Sequence, residues 1–413
     1  MNAGNGNSAA AFEMQRRRFM AAAAAGDFLA AGLAAQAVLR FQPGNVGVMA
    51  DYAFALMRQR RHEEAHRMYL RVYAANGGRV APGKTWLDGL TEVCGWLGHA
   101  DDVRRYGNES LAQADARLGG GPAIAARGVP PAFDPEARER HIISYSLFGA
   151  IPRYCESAVK NVEVAADLFA SWRCRVYHDD TVPPAVRERL SAAGAQLVDM
   201  TGPAGAGVHP LMWRFLVADD PHVSRFLVRD ADALLSEREQ AAVEAWTRSA
   251  CWFHHMRDYF THTELILAGM WGACRGLLPP LRPMMKAWLR TQRELTRFAD
   301  QVFLRERVWP TLRQSVLTHD DVFGFHGARP FPPHAPIRWR SNRFHVGSNA
   351  ATASIRGAST HPDGATQSWS IRDPQGRVTC AYDSIVKGGH WQADLPFFLT
   401  EAIAQQQLTV HCV

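Results

Sequence analysis

Asp230 and Asp232 are the residues whose type and spacing most directly suggest chemistry in this chain. They follow the apolar run Phe226-Leu-Val-Arg229, which reads as a strand, and residues i and i+2 of a strand point the same way. Both carboxylates are therefore expected to turn toward one divalent cation at the strand's end. Hard oxygen ligands of this kind hold Mg²⁺ or Mn²⁺ and leave positions open for water and phosphate oxygens, as a nucleotide-diphosphate site requires. Asp-x-Asp alone also serves in solvated loops and as a helix cap. Here the following Ser236-Glu-Arg-Glu239 is a capping-box pattern, which puts the pair in a strand-to-helix turn.

The elements on either side give that turn a setting. His141-Ile-Ile-Ser-Tyr-Ser-Leu-Phe148 reads as a strand ending at Gly149, followed by a helix over Cys155 to Phe169. Strand Cys174 to His178 ends at Asp179-Asp180; helix Pro184 to Ala193, strand Gln196 to Asp199 and a Gly-rich loop over 202–207 follow. Trp213 to Leu216 reads as helical and leads into the strand at 225–229. Strands alternating with helices predict an α/β domain with a doubly wound, mostly parallel sheet. In such sheets ligands sit beyond the carboxyl ends of the strands, where Gly149, Asp179, Asp180, Asp230 and Asp232 all fall. A short strand is expected over Cys251 to His254, then a break, and a long helical region that includes Arg293 to Trp309.

The flanking segments have different periods. Residues 1–17 are polar and Gly/Asn-rich and are read as a disordered tail. Over 18–116 apolar residues recur at helical spacing, with Pro-x-Asn45 between units and small residues such as Ala53 and Ala65 where paired helices would meet. This all-α segment resembles tetratricopeptide repeats, with Trp96-Leu-Gly98 as a loose match to their signature; a plain helical bundle gives the same stacking. Residues 117–138 are rich in Gly, Ala and Pro and form a linker to the α/β domain at 139–350. In 351–413, Thr366 to Arg372 and Arg377 to Tyr382 alternate around Asp373-Pro-Gln-Gly376, a hairpin signature in a small β-rich extension.

The bulk numbers exclude several classes. The 413 residues are 47% apolar and 21% charged, as in an ordinary globular chain with more than one core. The net charge is +6 and the pI about 9.0, with Arg far outnumbering Lys, which suits anionic small molecules. Absence of a polybasic tract or zinc-finger spacing argues against nucleic acid. An Ala-, Arg- and Gly-heavy composition also fits a GC-rich bacterial genome. The seven cysteines contain no C-x-x-C pair, which predicts reduced thiols in a cytoplasmic setting and neither disulfides nor a zinc site. Arg16-Arg-Arg-Phe-Met20 before an Ala-rich stretch has the look of an export signal, but Asp27 interrupts it and the run continues into a helix. No apolar run reaches the length of a membrane span, so membrane association is expected to be peripheral, at the inner face.

The ordered series Arg229-Asp-Ala-Asp232, Arg238-Glu239, Ala242 to Trp246, His255-Met-Arg-Asp258 with His262, Leu267-Ala-Gly-Met-Trp-Gly272, Asp300-Gln301 and His319-Asp320 resembles bacterial glycosyltransferases of the GT-A fold. Tyr145 to Gly149, Asn161 and Trp213-Arg-Phe215 also fit, so the resemblance spans about 140–350. It implies transfer of a sugar from a nucleotide-diphosphate donor to a glycan, lipid-linked or protein acceptor, with Mn²⁺ or Mg²⁺ on the diphosphate, in surface-polysaccharide or glycoconjugate synthesis. Asp232 is then the direct metal ligand, Asp230 a ligand of metal or donor ribose, and His319 the third ligand, with His345 as the alternative. Metal and Arg donors stabilise charge growing on the leaving diphosphate, and Arg214 and Arg229 are the candidates, although either also suits a structural ion pair.

Asp258 is the candidate base of an inverting reaction, with Arg257 beside it as a substrate ligand. Asp300-Gln301 resembles a pair near the donor sugar in retaining enzymes. A shared zinc among His254, His255 and His262 is disfavoured because adjacent strand residues face opposite sides. His262 and Trp271 are instead read as acceptor contacts, and Gly269 as a close approach of backbone to substrate. A phosphatase of the haloacid-dehalogenase type is disfavoured because the Asp pair follows a late strand, and no Walker or dinucleotide fingerprint occurs. The alternative is a scaffold that binds a protein partner through its helical repeats and carries an inactive transferase-like domain.

Overall fold

The computed structural model describes residues 3–125, 128–341, 344–351 and 353–412. It consists of two compact units: Met1–Arg117 with Tyr259–Leu265 and Val322–Gly327, and Leu118–Asp258 with Ile266–Asp321 and Ala328–Val413.

The first unit is built from α1 (Ala3–Ala24), α2 (Phe28–Leu39), α3 (Val46–Arg58), α4 (His62–Ala75), α5 (Trp86–Leu97) and α6 (Ala100–Leu118). The start of α2 is capped by Asp27, which accepts from Ala30 N at 2.9 Å, and that of α3 by Asn45, which accepts from Val48 N at 3.1 Å. From α1 to α5 each helix packs on the next. Ala31, Ala34, Ala35 and Ala55 lie between Phe19, Val38 and Val48, and their small side chains let the backbones approach. The first helix runs through a segment whose composition suggested disorder; its Ala9-Ala-Ala11 and Ala21 to Ala24 runs consist of the strongest helix former. Among the described residues no helix is long and apolar enough to cross a membrane.

The second unit is α/β. Its strands are β1 (His141–Leu147), β2 (Arg173–His178), β3 (Gln196–Asp199), β4 (Arg225–Arg229), β5 (Phe253–Arg257), β6 (Met270–Cys274) and β7 (Val316–Asp320). Among the described residues they form one seven-stranded sheet in the order β3-β2-β1-β4-β6-β5-β7. All neighbours are parallel except at β6, which runs antiparallel to both β4 and β5. Helices α7 (Pro152–Leu168), α8 (Pro184–Ala192) and α9 (Glu237–Thr247) connect the strands, and β4 is buried along its whole length.

Two local expectations are corrected, and one strand is added to them. The strand begun near Cys251 continues through Arg257, because its registry with β7 reaches Arg257↔Asp320. Leu267 to Gly272 leads into β6, so the chain turns back through the sheet. The long helical region is broken into α10 (Leu281–Leu289), α11 (Ala299–Phe303), a π-helical turn over Leu304–Val308 and a last turn Trp309–Leu312. Pro310 lacks the N–H that a continuous α-helix would use there.

The C-terminal strands β8 (Ala353–Ala358), β9 (Thr366–Arg372), β10 (Val378–Ile385), β11 (His390–Leu395) and β12 (Thr409–Cys412) make two small antiparallel sheets. The hairpin around Asp373–Gly376 joins β9 to β10. These strands share a core with the main sheet: Trp369, Ile371, Tyr382 and Trp391 belong to the same buried cluster as Tyr145, Val159 and Leu227. Tyr382 Oη donates to the buried Glu156 of α7 at 2.6 Å, and Arg189 completes that carboxylate's pairing at 2.8 Å.

Candidate active site

Chain leaving β4 must turn sharply while burying the polar groups of Asp230–Leu235. Asn161 of α7, fully buried, meets that need with one side chain. Its Nδ2 donates to Ala233 O at 2.8 Å and Ala231 O at 3.3 Å, and its Oδ1 accepts from Leu235 N at 2.9 Å. Buried backbone groups without such partners would each cost about 1–3 kcal/mol, so the amide fixes the turn that carries both aspartates. Ser236 then caps α9 by accepting from Glu239 N at 3.4 Å. The Glu239 side chain, which a full capping box would return to Ser236, instead pairs with Arg229.

Asp230 is 40% exposed and one of its oxygens is held by Arg214 Nη1. The other terminal nitrogen of that guanidinium, Nη2, donates to Asp300 Oδ2 at 2.7 Å, and Asp300 Oδ1 accepts from Gln301 N at 2.9 Å. Arg214 is itself anchored to β1: its N–H donates to Ser146 Oγ at 2.9 Å, and its carbonyl accepts from Ser144 Oγ at 2.7 Å. Asp230, Arg214, Asp300 and Gln301 thus come together. Burial pushes the Asp300 carboxyl up, and Arg214 opposes that shift. Gly269 lies against Asp230, since a Cβ there would overlap Asp230 Oδ2. Its part is to make room for the carboxylate.

Asp232 is less exposed, at 17%, with Arg153 Nη2 at 3.8 Å. Burial, then the charge of Asp230, push its carboxyl up to about 6. Two neighbouring carboxylates, one of them short of neutralising charge, fit a divalent cation. Their hard oxygens suit Mn²⁺ or Mg²⁺. Arg153 was not foreseen; the available signal was its place in the first turn of α7, just beyond the carboxyl end of β1.

A return segment passes beside the pair. Ala350 N donates to Asp232 O at 2.8 Å, Ala233 bridges Asn349, and His345 lies five residues before Ala350. Asp258 secures this segment by accepting from Val346 N at 2.9 Å, while its other oxygen pairs with Arg238 at 2.8 Å.

Several expected site residues lie elsewhere. His319 is not with the Asp pair: Arg229 pairs with Met270, and His319 with Met256 on the far side of β5. Three strand spacings, about 14 Å, separate its row position from β4. His319 Nδ1 lies 3.1 Å from His254 Nε2, and burial, followed by the charge of Arg329, holds its imidazole down at about 4. Arg229 points into the core, pairing with Glu239 and donating to Val228 O at 2.7 Å and Trp271 O at 2.9 Å. Trp271 is fully buried, edge-on to Phe226 and Phe215 at 5.5 and 6.0 Å, and presents no face to a sugar. Arg257 is buried in β5. His262 belongs to the helical unit, where its N–H donates to Tyr259 O at 3.0 Å.

A cavity of about 460 Å³ is lined by His209, Lys286, Leu289, Arg290 and Leu295 among others. His209, in its wall, is close enough to feel the charge of Asp300.

No protein-family model matches the chain, and no curated protein matches it. Solved structures do show similarity. An O-GlcNAc transferase mutant from Thermobaculum terrenum is 17% identical at a TM-score of 0.25, over 46% of this chain and 42% of that one. Glucosyl-3-phosphoglycerate synthase from Mycobacterium tuberculosis, in complex with Mn²⁺ and uridine-diphosphate-glucose, is 12% identical at 0.29, over 51% and 80%. The mannosyltransferase PcManGT from Pyrobaculum calidifontis, in complex with GDP-Man and Mn²⁺, is 16% identical at 0.31, over 57% and 67%. The chain therefore spans under half the length of the first of these.

Proposed function

We propose that this chain is a metal-dependent glycosyltransferase that moves a sugar from a nucleotide-diphosphate donor to a glycan, lipid-linked or protein acceptor. The observation that carries the reading is the Asp230–Asp232 turn at the carboxyl end of β4, locked by Asn161 and tied through Arg214 to Asp300. A mostly parallel sheet places ligands at that edge.

Asp230 and Asp232 would hold Mn²⁺ or Mg²⁺, with His345 of the return segment as the third ligand in place of His319. When bound, the ion takes up negative charge on the departing diphosphate. Arg153 adds a cation on the same side of Asp232. Asp300 and Gln301 face the donor sugar from the other side of Asp230, and Arg214 orients both carboxylates. Asp258 spends both oxygens on Arg238 and Val346, which favours a role in holding the return segment over one as base. The helical unit is read as the part that docks an acceptor or protein partner, and surface-polysaccharide or glycoconjugate synthesis as the setting. Incubation with UDP-, GDP- and dTDP-sugars and Mn²⁺ tests the reading: one donor should release its nucleoside diphosphate slowly as its sugar passes to water in place of the acceptor, and EDTA or Asp232→Asn should stop it. Release from none, or release indifferent to EDTA and to Asp232→Asn, would contradict it.

A further inference from the structure

A second group of metal-type side chains lies in the helical unit, with a donor chemistry unlike that of the Asp pair. His66 of α4, Cys94 of α5, His99 of the α5–α6 turn and Asp102 in the first turn of α6 each offer one ligand atom. All four atoms lie within 4.8 Å of one another.

The local fold explains the convergence. Gly98 ends α5 with φ +74°, a left-handed conformation that glycine adopts without strain. The reversal lets His99 N donate to Cys94 O at 3.0 Å, which brings the imidazole back over the last turn of α5. Asp102 follows one helical turn later. From the neighbouring helix, the His66 ring meets the His99 ring edge-on, with centroids 5.4 Å apart. Cys94 is fully buried, and His66 Nε2 is buried without a hydrogen-bond partner, an arrangement that is unfavourable unless something binds there.

We propose that His66, Cys94, His99 and Asp102 form a structural Zn²⁺ site that fastens α4 to the α5–α6 turn. Two imidazoles, a thiolate and a carboxylate make a tetrahedral set of the kind zinc takes, whereas Mg²⁺ and Mn²⁺ prefer oxygens alone. Bond lengths of about 2.0–2.3 Å put tetrahedral ligand atoms roughly 3.3–3.8 Å apart, so the group needs to contract by about 1 Å to close on an ion. Four protein ligands leave no open position, which assigns the ion to stability and not to catalysis. Cys-x₄-His-x₂-Asp with a fourth ligand from another helix has no familiar zinc spacing.

Chelator-stripped full-length protein titrated with Co²⁺ tests the site. A thiolate-to-cobalt charge-transfer band should saturate at one equivalent and be abolished by Zn²⁺. Asp232→Asn should leave it unchanged, which separates it from the proposed donor site, and Cys94→Ser should remove it. His99→Ala, a change at an exposed residue that the helices tolerate, should weaken binding by at least about 100-fold. Zn²⁺ should also raise the unfolding temperature of the wild type and not of the His99 variant. Absence of the band at one equivalent, or titrations unaltered in both the Cys94 and His99 variants, would overturn the proposal.

Discussion

Arg214 and Asp300, 86 residues apart in sequence, meet at 2.7 Å inside the second unit, and the same guanidinium holds Asp230. Both members of the inner pair are less than a tenth exposed, so removing one strands a buried charge. Arg214→Met is expected to lower unfolding free energy by about 3–5 kcal/mol in urea denaturation, and Arg214→Met with Asp300→Leu by clearly less. Donor turnover should fall in both variants, because Asp230 loses its guide.

Gly269 supplies room, and the prediction follows from sterics. A side chain at this position must displace the Asp230 carboxylate or the strand behind it. Gly269→Ala should cost about 1–3 kcal/mol of stability and weaken Mn²⁺-dependent donor binding by at least about tenfold. Calorimetric titration against wild type reads the second effect.

Trp271 is by its burial a core residue. Its ring is buried among Phe226 and Phe215, so Trp271→Ala is expected to cost about 3–5 kcal/mol of stability. Trp271→Phe, which keeps most of the packing, should leave acceptor KM within about twofold of wild type. A rise in KM without loss of stability in the Phe variant would return Trp271 to the acceptor site.

The His319 imidazole gives a pH dependence. Its folded value is about 4 against an ordinary 6.5, so the unfolded chain takes up a proton first as pH falls. The stability contributed is present above about 6.5 and is lost as pH drops toward 4, by up to about 3 kcal/mol. Denaturation at about pH 7.5 and about pH 4.5 should show a larger loss for wild type than for His319→Gln, by about 2–3 kcal/mol.

Local pattern made part of this legible. Short apolar runs mark β1, β2 and β4, a capping serine marks the start of α9, and the hairpin turn at Asp373–Gly376 is visible in its residues. Relations across the sheet are not written locally. Nothing near Arg229 says that Glu239 and the carbonyl of Trp271 will claim it, and an apolar Trp271 looks the same whether it packs or stacks. The antiparallel β6 hid behind a run with two glycines, and its position is what sets His319 three strands away from β4. The grouping of Cys94 with His99 and Asp102 carries no familiar metal spacing, because the fourth side chain, His66, comes from another helix.

Donor binding followed by thermal shift tests the central claim most directly. UDP-, GDP-, dTDP- and CMP-sugars are screened against the full chain with and without Mn²⁺, beside Asp232→Asn. The account predicts that one donor raises the unfolding temperature only when Mn²⁺ is present, and that the shift vanishes in the variant. No shift with any donor, or an equal shift in Asp232→Asn, would contradict it.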